Sequence, residues 1–336
     1  MALISYEWRS TRDNHAGMGY LAQKLQERYP GRIIRISIPF RFSTWNRIRK
    51  FVYLLRLTFS LVVKEKFESI FLMEFLSGKR HANHTLLAKL LRLLGYKGKI
   101  FGMVHLAPFK LLEIYGSSGK IVKLSRKVDT IVLMGNSLKE FLEKTGVNNE
   151  ILFVPHYVDR EFYKEEDGHI NDSKLKVLVI GNTIRNYAKL KDIIYALPYV
   201  HFNICAGLAI HVYDPVSQLD NVTVYGYMEE DELIRIMHAS DIGLSVMYDT
   251  IGSNAIVCSM AVGLPQVVSD VGSIRDYCDD SNAIFCNTTD DFIRAVNYLN
   301  TNREQISLMS KAAVKKSEVF DMQKIISWFK EQIIYA

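Results

Sequence analysis

Short apolar runs alternate with longer amphipathic segments along nearly the whole chain. The runs are rich in β-branched and aromatic residues, which predicts buried strands, and the segments between them repeat apolar positions every three to four residues, which predicts helices. Strands are predicted at 2–7, 33–38, 69–74, 99–105, 130–134, 151–154, 176–180, 200–206, 222–225, 242–246, 266–268 and 283–285. Helices are predicted at 18–28, 45–64, 83–94, 120–126, 137–144, 189–197, 230–239, 254–261, 289–300, 303–316 and 322–334. This alternation indicates an α/β protein with parallel sheets.

A polar, charged segment at 155–175 interrupts the alternation, and a second strand–helix series follows it. We therefore predict two doubly wound, Rossmann-like domains that face a cleft, at 1–157 and 158–319. The closing helix, 320–336, is expected to pack back on the first domain. Ligands of such sheets bind at the carboxyl ends of the strands.

Composition favours the same division and adds a charge asymmetry. A chain of 336 residues is long for a single core. Residues 1–160 contain 27 Lys and Arg against 12 Asp and Glu, a net charge of +15, whereas the remainder carries −9. The basic half is suited to anionic lipid, nucleic acid or an acidic glycan. No aromatic stacking strip accompanies it, so we expect no nucleic-acid partner.

The sequence shows no signal peptide, and its longest apolar run is cut by Arg56. Four cysteines fit no metal or redox spacing and are expected to be buried free thiols of a cytoplasmic protein. The basic helix 45–66 leaves two interpretations open. It lies at a membrane interface, or it packs on the sheet with Arg and Lys on its outer face.

Residues 251–277 read as a small-residue loop, a short helix, a Gly-Pro break, a strand and another glycine turn. A helix N-terminus at the carboxyl end of a strand favours an anionic ligand. Ser253 or Asn254 is expected to cap the helix. The alternative is a purely structural loop.

Two further loops follow strands of the second domain. Gly181 allows a tight turn, and Arg185 and Lys189 carry charge suited to a diphosphate, or else form an ordinary solvated basic loop. After the strand at 222–225, Tyr227 and Met228 precede an acidic helix start. Either the acidic residues only cap this helix, or the loop before it holds a nucleobase.

In the first domain, His15, Gly17 and Gly19 follow the first strand and open a helix. The glycines are not a full dinucleotide fingerprint and the expected acidic partner is missing, which argues against NAD. His105 ends a strand, where it either faces the cleft or is a satisfied rim histidine.

The chain resembles the family-4 retaining glycosyltransferases of the GT-B fold, a group 1 glycosyltransferase. The resemblance rests on three segments: IGSNAIVCSMAVGLPQVVSDVGSIRDY, NVTVYGYMEEDELIRIMHASDIGLSV, and IVLMGNSLKEFLEKTGV with ILFVPHYVDREFY. It implies a metal-independent transfer of a sugar from a UDP- or GDP-linked donor with no other cofactor. The donor would bind the second domain and the acceptor the first.

The resemblance also implies a role for each candidate residue. The donor side would use Gly181, Arg185, Lys189, Tyr227, Met228, Thr250, Ser253, Asn254, Ala255, Ile256 and Cys258. His105 and Asp249 would lie at the reacting centre, and His15, Gly17 and Gly19 on the acceptor side. The family carries two glutamates eight residues apart, one on the donor sugar and one on the ribose. Here Thr250 and Cys258 stand at these positions, and Asp249 is the neighbouring carboxylate.

These features predict a cytoplasmic transferase on the inner membrane face that builds cell-surface polysaccharide or glycolipid. Its basic domain would meet an anionic membrane and a lipid-linked or glycan acceptor. The alternative is a catalytically silent GT-B subunit that supports an active partner, since both glutamates are missing.

Overall fold

The computed structural model describes residues 1–7, 14–39, 44–64, 67–78, 83–166 and 174–335. The chain divides into two compact units. Unit 1 comprises Met1–Pro155 with Ile325–Ala336, and unit 2 comprises His156–Lys324. Among the described helices none is long and apolar enough to span a bilayer.

Unit 1 is built on one parallel sheet. Its strands are β1 Ala2–Glu7, β2 Ile34–Pro39, β3 Ser69–Leu72, β4 Lys99–Val104, β5 Thr130–Leu133 and β6 Glu150–Phe153. Its helices are α1 Met18–Arg28, α2 Thr44–Phe59, α3 Asn83–Leu93, α4 Pro108–Tyr115, α5 Ser118–Ser125 and α6 Asn136–Lys144, and α2 continues as a π-helical turn, Ser60–Lys64. The strand order is β2-β1-β3-β4-β5-β6. β2 is added on one side of β1 and β3 on the other, so the strand order reverses between β1 and β3.

Unit 2 repeats this plan. Its strands are β7 Lys176–Ile180, β8 His201–Cys205, β9 Val222–Tyr225, β10 Ile242–Ser245, β11 Gln266–Ser269 and β12 Ala283–Cys286. Its helices are α7 Tyr187–Ala196, α8 Glu230–His238, α9 Asn254–Ala261, α10 Ile274–Tyr277, α11 Thr289–Thr301 and α12 Arg303–Ser317, with 3₁₀ segments Gly207–Tyr213 and Glu318–Phe320. The order is β12-β11-β10-β7-β8-β9, and the reversal lies between β7 and β10.

Helices cover both faces of the second sheet, so alternate strand residues enter different cores. Val177 and Val179 of β7 pack with Leu190 and Ile193 of α7 on one face. Leu178 packs on the opposite face with the apolar side of α9. Continuous burial explains the unbroken apolar runs in the sequence. The predicted fold class, α/β with two doubly wound sheets, is confirmed.

The last helix, α13 (Met322–Phe329), ends in a π-helical turn, Lys330–Ile334. The Phe329 ring lies 5.3 Å from that of Phe71 on β3, and the Arg32 guanidinium lies 5.7 Å from the Tyr335 ring. These contacts join the C-terminal residues to unit 1.

Candidate functional site

Two loops meet at the point between β7 and β10 where the strand order of the unit 2 sheet reverses. The first follows β7 and the second follows β10. The N–H of Asn186 donates to Val246 O at 3.0 Å, and the N–H of Tyr248 donates to Ile184 O at 3.1 Å. The carboxyl edge at a reversal is where open α/β sheets bind ligands. The fold therefore brings the loop of Gly181 and Arg185 against residues 246–248, which lead into the 249–254 loop and lie far from the first loop in sequence.

Arg185 is buried beneath the first loop. Its Nη2 donates to Ile180 O at 2.6 Å and its Nε to Gly181 O at 3.2 Å, while Nη1 is buried without a partner. Burial lowers the pKa of Arg185 from its ordinary value. Both of these acceptors are neutral backbone carbonyl oxygens, so neither hydrogen bond compensates the positive charge. Direct contact with a diphosphate, as the sequence predicted, would require the side chain to rotate outward.

Lys189 lies in the first turn of α7, whose N-cap is Asn186. The Asn186 side chain accepts a hydrogen bond from the Lys189 N–H at 3.1 Å. The Lys189 Nζ donates to Asn287 O at 2.7 Å, beyond the end of β12. Its ammonium group is thus engaged with a backbone carbonyl rather than with the Gly181 loop.

The N-terminus of α9 has no side-chain cap. Ser253 occupies the N-cap position with extended backbone but makes no capping hydrogen bond, and Asn254 Oδ1 is buried without a partner. The capping role predicted for Ser253 or Asn254 is therefore wrong. Ile256 is buried and its N–H donates to Ser253 O at 3.1 Å, which leaves the turn at Ser253–Ala255 as the accessible part. Uncapped first-turn N–H groups favour an anion.

The 249–253 loop is held by its own hydrogen bonds. Asp249 Oδ1 accepts from the Thr250 N–H at 2.8 Å, and Thr250 Oγ1 accepts from the Gly252 N–H at 3.1 Å. Thr250 is buried, and its carbonyl accepts from the Ser273 N–H at 2.7 Å. The Thr250 side chain therefore supports the loop.

An exposed apolar patch borders the same edge of the sheet. It consists of Leu208 and Ile210 on the 3₁₀ segment after β8, and Tyr227 after β9. A Cβ at Gly226 would lie 3.8 Å from Ile210 Cδ1, so the two loops are close. Such a flat apolar surface suits a planar base. The sequence pointed to Tyr227 and Met228 but missed Leu208 and Ile210, since a 3₁₀ segment has no helical period to detect.

Cys258 lies in a buried cluster with Tyr163 and Glu230. The Tyr163 hydroxyl donates to Glu230 Oε1 at 2.5 Å and also interacts with the Cys258 thiol. Burial, and secondarily the Glu230 carboxylate, raises the pKa of Cys258 above its ordinary value. The thiol is therefore neutral and inert. All four cysteines are free and buried, as predicted.

Cys258→Glu is expected to destabilise the protein by roughly 2–5 kcal/mol, because it buries a second carboxylate beside Glu230. The double variant Cys258→Glu with Glu230→Gln should recover part of this loss. Thermal unfolding of the four proteins of the cycle measures the coupling. An unchanged melting temperature in Cys258→Glu, together with tighter nucleotide binding, would contradict the buried environment described for Cys258. It would instead favour the interpretation that the chain has simply lost a glutamate that contacts the ribose.

Unit 1 gathers its polar candidates at the carboxyl ends of β1, β3 and β4. Two buried histidine nitrogens there, His84 Nε2 and His105 Nδ1, lack a hydrogen-bond partner, whereas the Tyr115 hydroxyl interacts with the Thr85 side chain and the Gly78 backbone. Buried polar atoms in native proteins are normally paired, so these two nitrogens indicate a place for a polar ligand. The structure thus places His84, Thr85 and Tyr115 beside His105, the residue of this cluster that the sequence had predicted for the reacting centre.

His84 and His105 are neutral in this cluster. Burial lowers the pKa of His84 to about 3 and that of His105 to about 4. His84 Nδ1 accepts from the Glu74 N–H at 3.0 Å, and its ring lies 4.4 Å from Tyr6. A neutral His105 can accept or donate a single hydrogen bond but carries no charge.

The free energy of unfolding is expected to fall as the pH drops from about 6.5 towards 4. In this window the unfolded chain binds a proton at His84 that the folded protein, with its lowered pKa, does not. His84 alone should account for a loss of roughly 2–3 kcal/mol at pH 4.5, and His105 adds a similar amount. His84→Asn keeps an acceptor for the Glu74 N–H and should reduce the pH dependence, measured by urea unfolding, by about half, because His105 with its own lowered pKa remains. The same slope in His84→Asn as in the parent would refute this; the exposed His211→Asn is the control.

The glycine loop of unit 1 lies at the same edge. Gly17 is the N-cap of α1, with φ of 89°, and His15 stacks edge-on against Tyr20 at 5.1 Å. A Cβ at Gly19 would lie 3.8 Å from Tyr6 O, so the loop approaches the end of β1. His105 belongs to unit 1, whereas Asp249 belongs to unit 2. Within the described residues, no group of three or more His, Cys, Asp or Glu is placed to hold a metal ion.

Comparison with known proteins finds a family similarity within unit 2. Residues 171–302 match the family model described as "Glycosyl transferases group 1". The match lies within unit 2 and covers about two fifths of the chain. No curated protein matches the chain.

Solved structures resemble the chain over nearly its whole length. Sucrose-phosphate synthase from Thermosynechococcus elongatus has a TM-score of 0.80 at 11% identity, covering 98% of this chain and 97% of its own. Anabaena Alr3699/HepE, solved with UDP and glucose, scores 0.76 at 11% identity, covering 100% and 99%. The lipopolysaccharide outer core galactosyltransferase WaaB in its apo form scores 0.68 at 14% identity, covering 98% of both chains. The likeness gives the fold, GT-B with two Rossmann-like domains.

Proposed function

We propose that this chain is a retaining glycosyltransferase of the family-4 type. It would move a sugar from a UDP- or GDP-linked donor to a lipid-linked or polysaccharide acceptor in cell-surface glycan synthesis. The observation that carries the proposal is the uncapped N-terminus of α9 at the sheet reversal of a glycosyltransferase group 1 domain. The structures of HepE contain UDP, UDP-glucose or UDP with glucose, which fits such a donor.

The chemistry follows from charge at the leaving group. When the sugar–phosphate bond breaks, the diphosphate gains negative charge. N–H groups of the Ser253–Ala255 turn and the buried charge of Arg185 would stabilise it, since preorganised dipoles and cations act strongly where water is excluded. The apolar patch of Leu208, Ile210 and Tyr227 would hold the base. No step of this scheme requires a metal ion.

The acceptor would bind unit 1, near the neutral His105 and the partner-free atoms around it. In this scheme Asp249, which accepts a hydrogen bond from the Thr250 N–H, is the carboxylate in the donor loop. The excess of positive charge in residues 1–160 supports a protein placed on the anionic inner face of a membrane.

A panel of UDP, GDP and their sugars, screened by thermal shift and then by transfer to glycan and lipid-linked acceptors, tests the proposal. We expect one nucleotide to raise the melting temperature and its sugar to be transferred in the presence of EDTA. The anomeric configuration of the product, read by NMR, should match the donor. Transfer with inversion, or dependence on added metal, would remove that part of the proposal.

A specific observation favours a second function, that of a silent subunit. Neither Thr250 nor Cys258 offers a carboxylate, and both are buried, Thr250 in its loop and Cys258 in the Tyr163–Glu230 cluster. A silent subunit would show neither turnover nor a nucleotide-induced thermal shift in the same panel. Nucleotide binding with transfer decides for the enzyme.

A further inference from the structure

Helix α2 with its π-helical turn is amphipathic in an unusual sense, because its outward face is also apolar. The inward face packs Leu54, Thr58 and Leu61, each at most 1% exposed. Six large apolar side chains lie on the outward face, between 38% and 61% exposed: Ile48, Phe51, Val52, Leu55, Phe59 and Val63. Their spacing of three and four residues places them in one stripe. We call this set the α2 stripe.

This arrangement corrects one sequence interpretation of the helix. Packing on the sheet with Arg and Lys on the outer face would leave apolar residues inward. Instead the centre of the outer face is the α2 stripe, and charged side chains such as the exposed Arg56 and Lys64 accompany it. A contiguous exposed apolar surface on a soluble protein marks an interaction site.

Charge indicates what covers the stripe. Residues 44–64 contain five basic side chains and no acidic one: Arg47, Arg49, Lys50, Arg56 and Lys64. Apolar residues along one face of a basic helix are typical of helices that lie in the interface of an anionic bilayer. A second copy of the chain would bring five positive charges against five, which opposes an α2–α2 contact.

We infer that α2 docks on an anionic lipid bilayer, with the α2 stripe inserted between headgroups and acyl chains and with Arg56 and Lys64 at the phosphate level. The proposed function includes binding to a membrane surface, and α2 is the element that would make this contact. The inference rests on the proposed function only for which membrane is bound. Vesicle binding needs neither donor nor acceptor. Its failure is therefore distinguishable from a failure of transferase activity.

The test is flotation of the full chain with vesicles of phosphatidylcholine alone or mixed with phosphatidylglycerol. We expect binding to the mixed vesicles and little to the neutral ones. Phe51→Gln with Phe59→Gln should weaken binding about 20-fold, because two half-exposed rings no longer insert. Arg56→Gln with Lys64→Gln should weaken it about 25-fold, roughly fivefold for each charge, and only on anionic vesicles.

The matched control is Leu308→Gln with Val319→Gln, which removes two exposed apolar side chains from unit 2. It should bind vesicles like the parent. Three results would overturn the inference: equal binding by the phenylalanine variant and the parent, equal binding to neutral and anionic vesicles, or no vesicle binding. A dimer in sedimentation that the phenylalanine variant converts to a monomer would identify a second copy of the chain as the true occupant.

Discussion

Gly252→Ala is expected to destabilise unit 2 and to abolish nucleotide binding. Gly252 has φ of 100°, a conformation that L side chains rarely adopt, and its Cβ would lie 2.1 Å from Tyr277 Cζ. Tyr277 cannot yield, because it is fully buried, stacks on Phe320 at 5.2 Å and accepts a hydrogen bond from the His156 N–H. Strain and overpacking together should cost roughly 2–5 kcal/mol.

The melting temperature should fall by about 5–15 °C, given the size of the domain. The displaced loop carries Asp249 and Ser253, so nucleotide binding should be lost even below the melting transition. Calorimetry of unfolding and of nucleotide binding measures both effects. Gly119→Ala, where a Cβ meets nothing within 4 Å, is the control and should behave like the parent. A variant Gly252→Ala with parental stability and binding would show that the loop does not close on Tyr277.

Arg185→Ala should weaken binding of UDP or GDP by about 10–100-fold, because the guanidinium that rotates outward to a bound diphosphate would supply one hydrogen bond to a charged group. The guanidinium has the donors to spare, because Nη1 is unpaired and the two hydrogen bonds of Nε and Nη2 go to neutral carbonyl oxygens. An unpaired buried charge is costly to the folded state. Its removal should therefore lower the melting temperature little, despite the two hydrogen bonds lost.

Arg185→Lys keeps the charge but not the fork of donors, so its affinity should lie between those of the parent and of Arg185→Ala. Arg294→Ala removes an exposed arginine of α11 that pairs with Asp291, and serves as the control. Isothermal titration with each nucleotide gives the affinities. Equal affinity of folded Arg185→Ala and the parent would remove the phosphate role from this residue.

The strands could be predicted because each sheet is buried on both faces, and strands buried on both faces consist of nearly continuous apolar runs. β1, β7 and β9 have the predicted bounds, and the other strands differ by a few residues at their ends. Helix α4 was missed although its signals are present. Pro108 lies at its first turn and Gly116 ends it with φ of 78°, the usual proline start and glycine stop.

The candidate site was predicted in outline, since glycines and basic residues after β7 and β10 mark loops at the carboxyl edge. Contacts between distant residues were not. The Tyr163–Glu230–Cys258 cluster joins three segments with no common sequence signal. Likewise, Ser253 is a residue type that commonly caps helices, but the path of the loop does not place its hydroxyl to accept a hydrogen bond from the first turn of α9. The outer face of α2 escaped prediction because both faces of the helix are apolar.

The most direct test of the central claim is a crystal structure of the chain with UDP or GDP. We expect the diphosphate at the N-terminus of α9, with its oxygens within hydrogen-bond distance of N–H groups in the Ser253–Ala255 turn and the base against Tyr227. A nucleotide found elsewhere, for example in the apolar groove of about 170 Å³ between α7 and the 3₁₀ segment Gly207–Tyr213, would contradict the account.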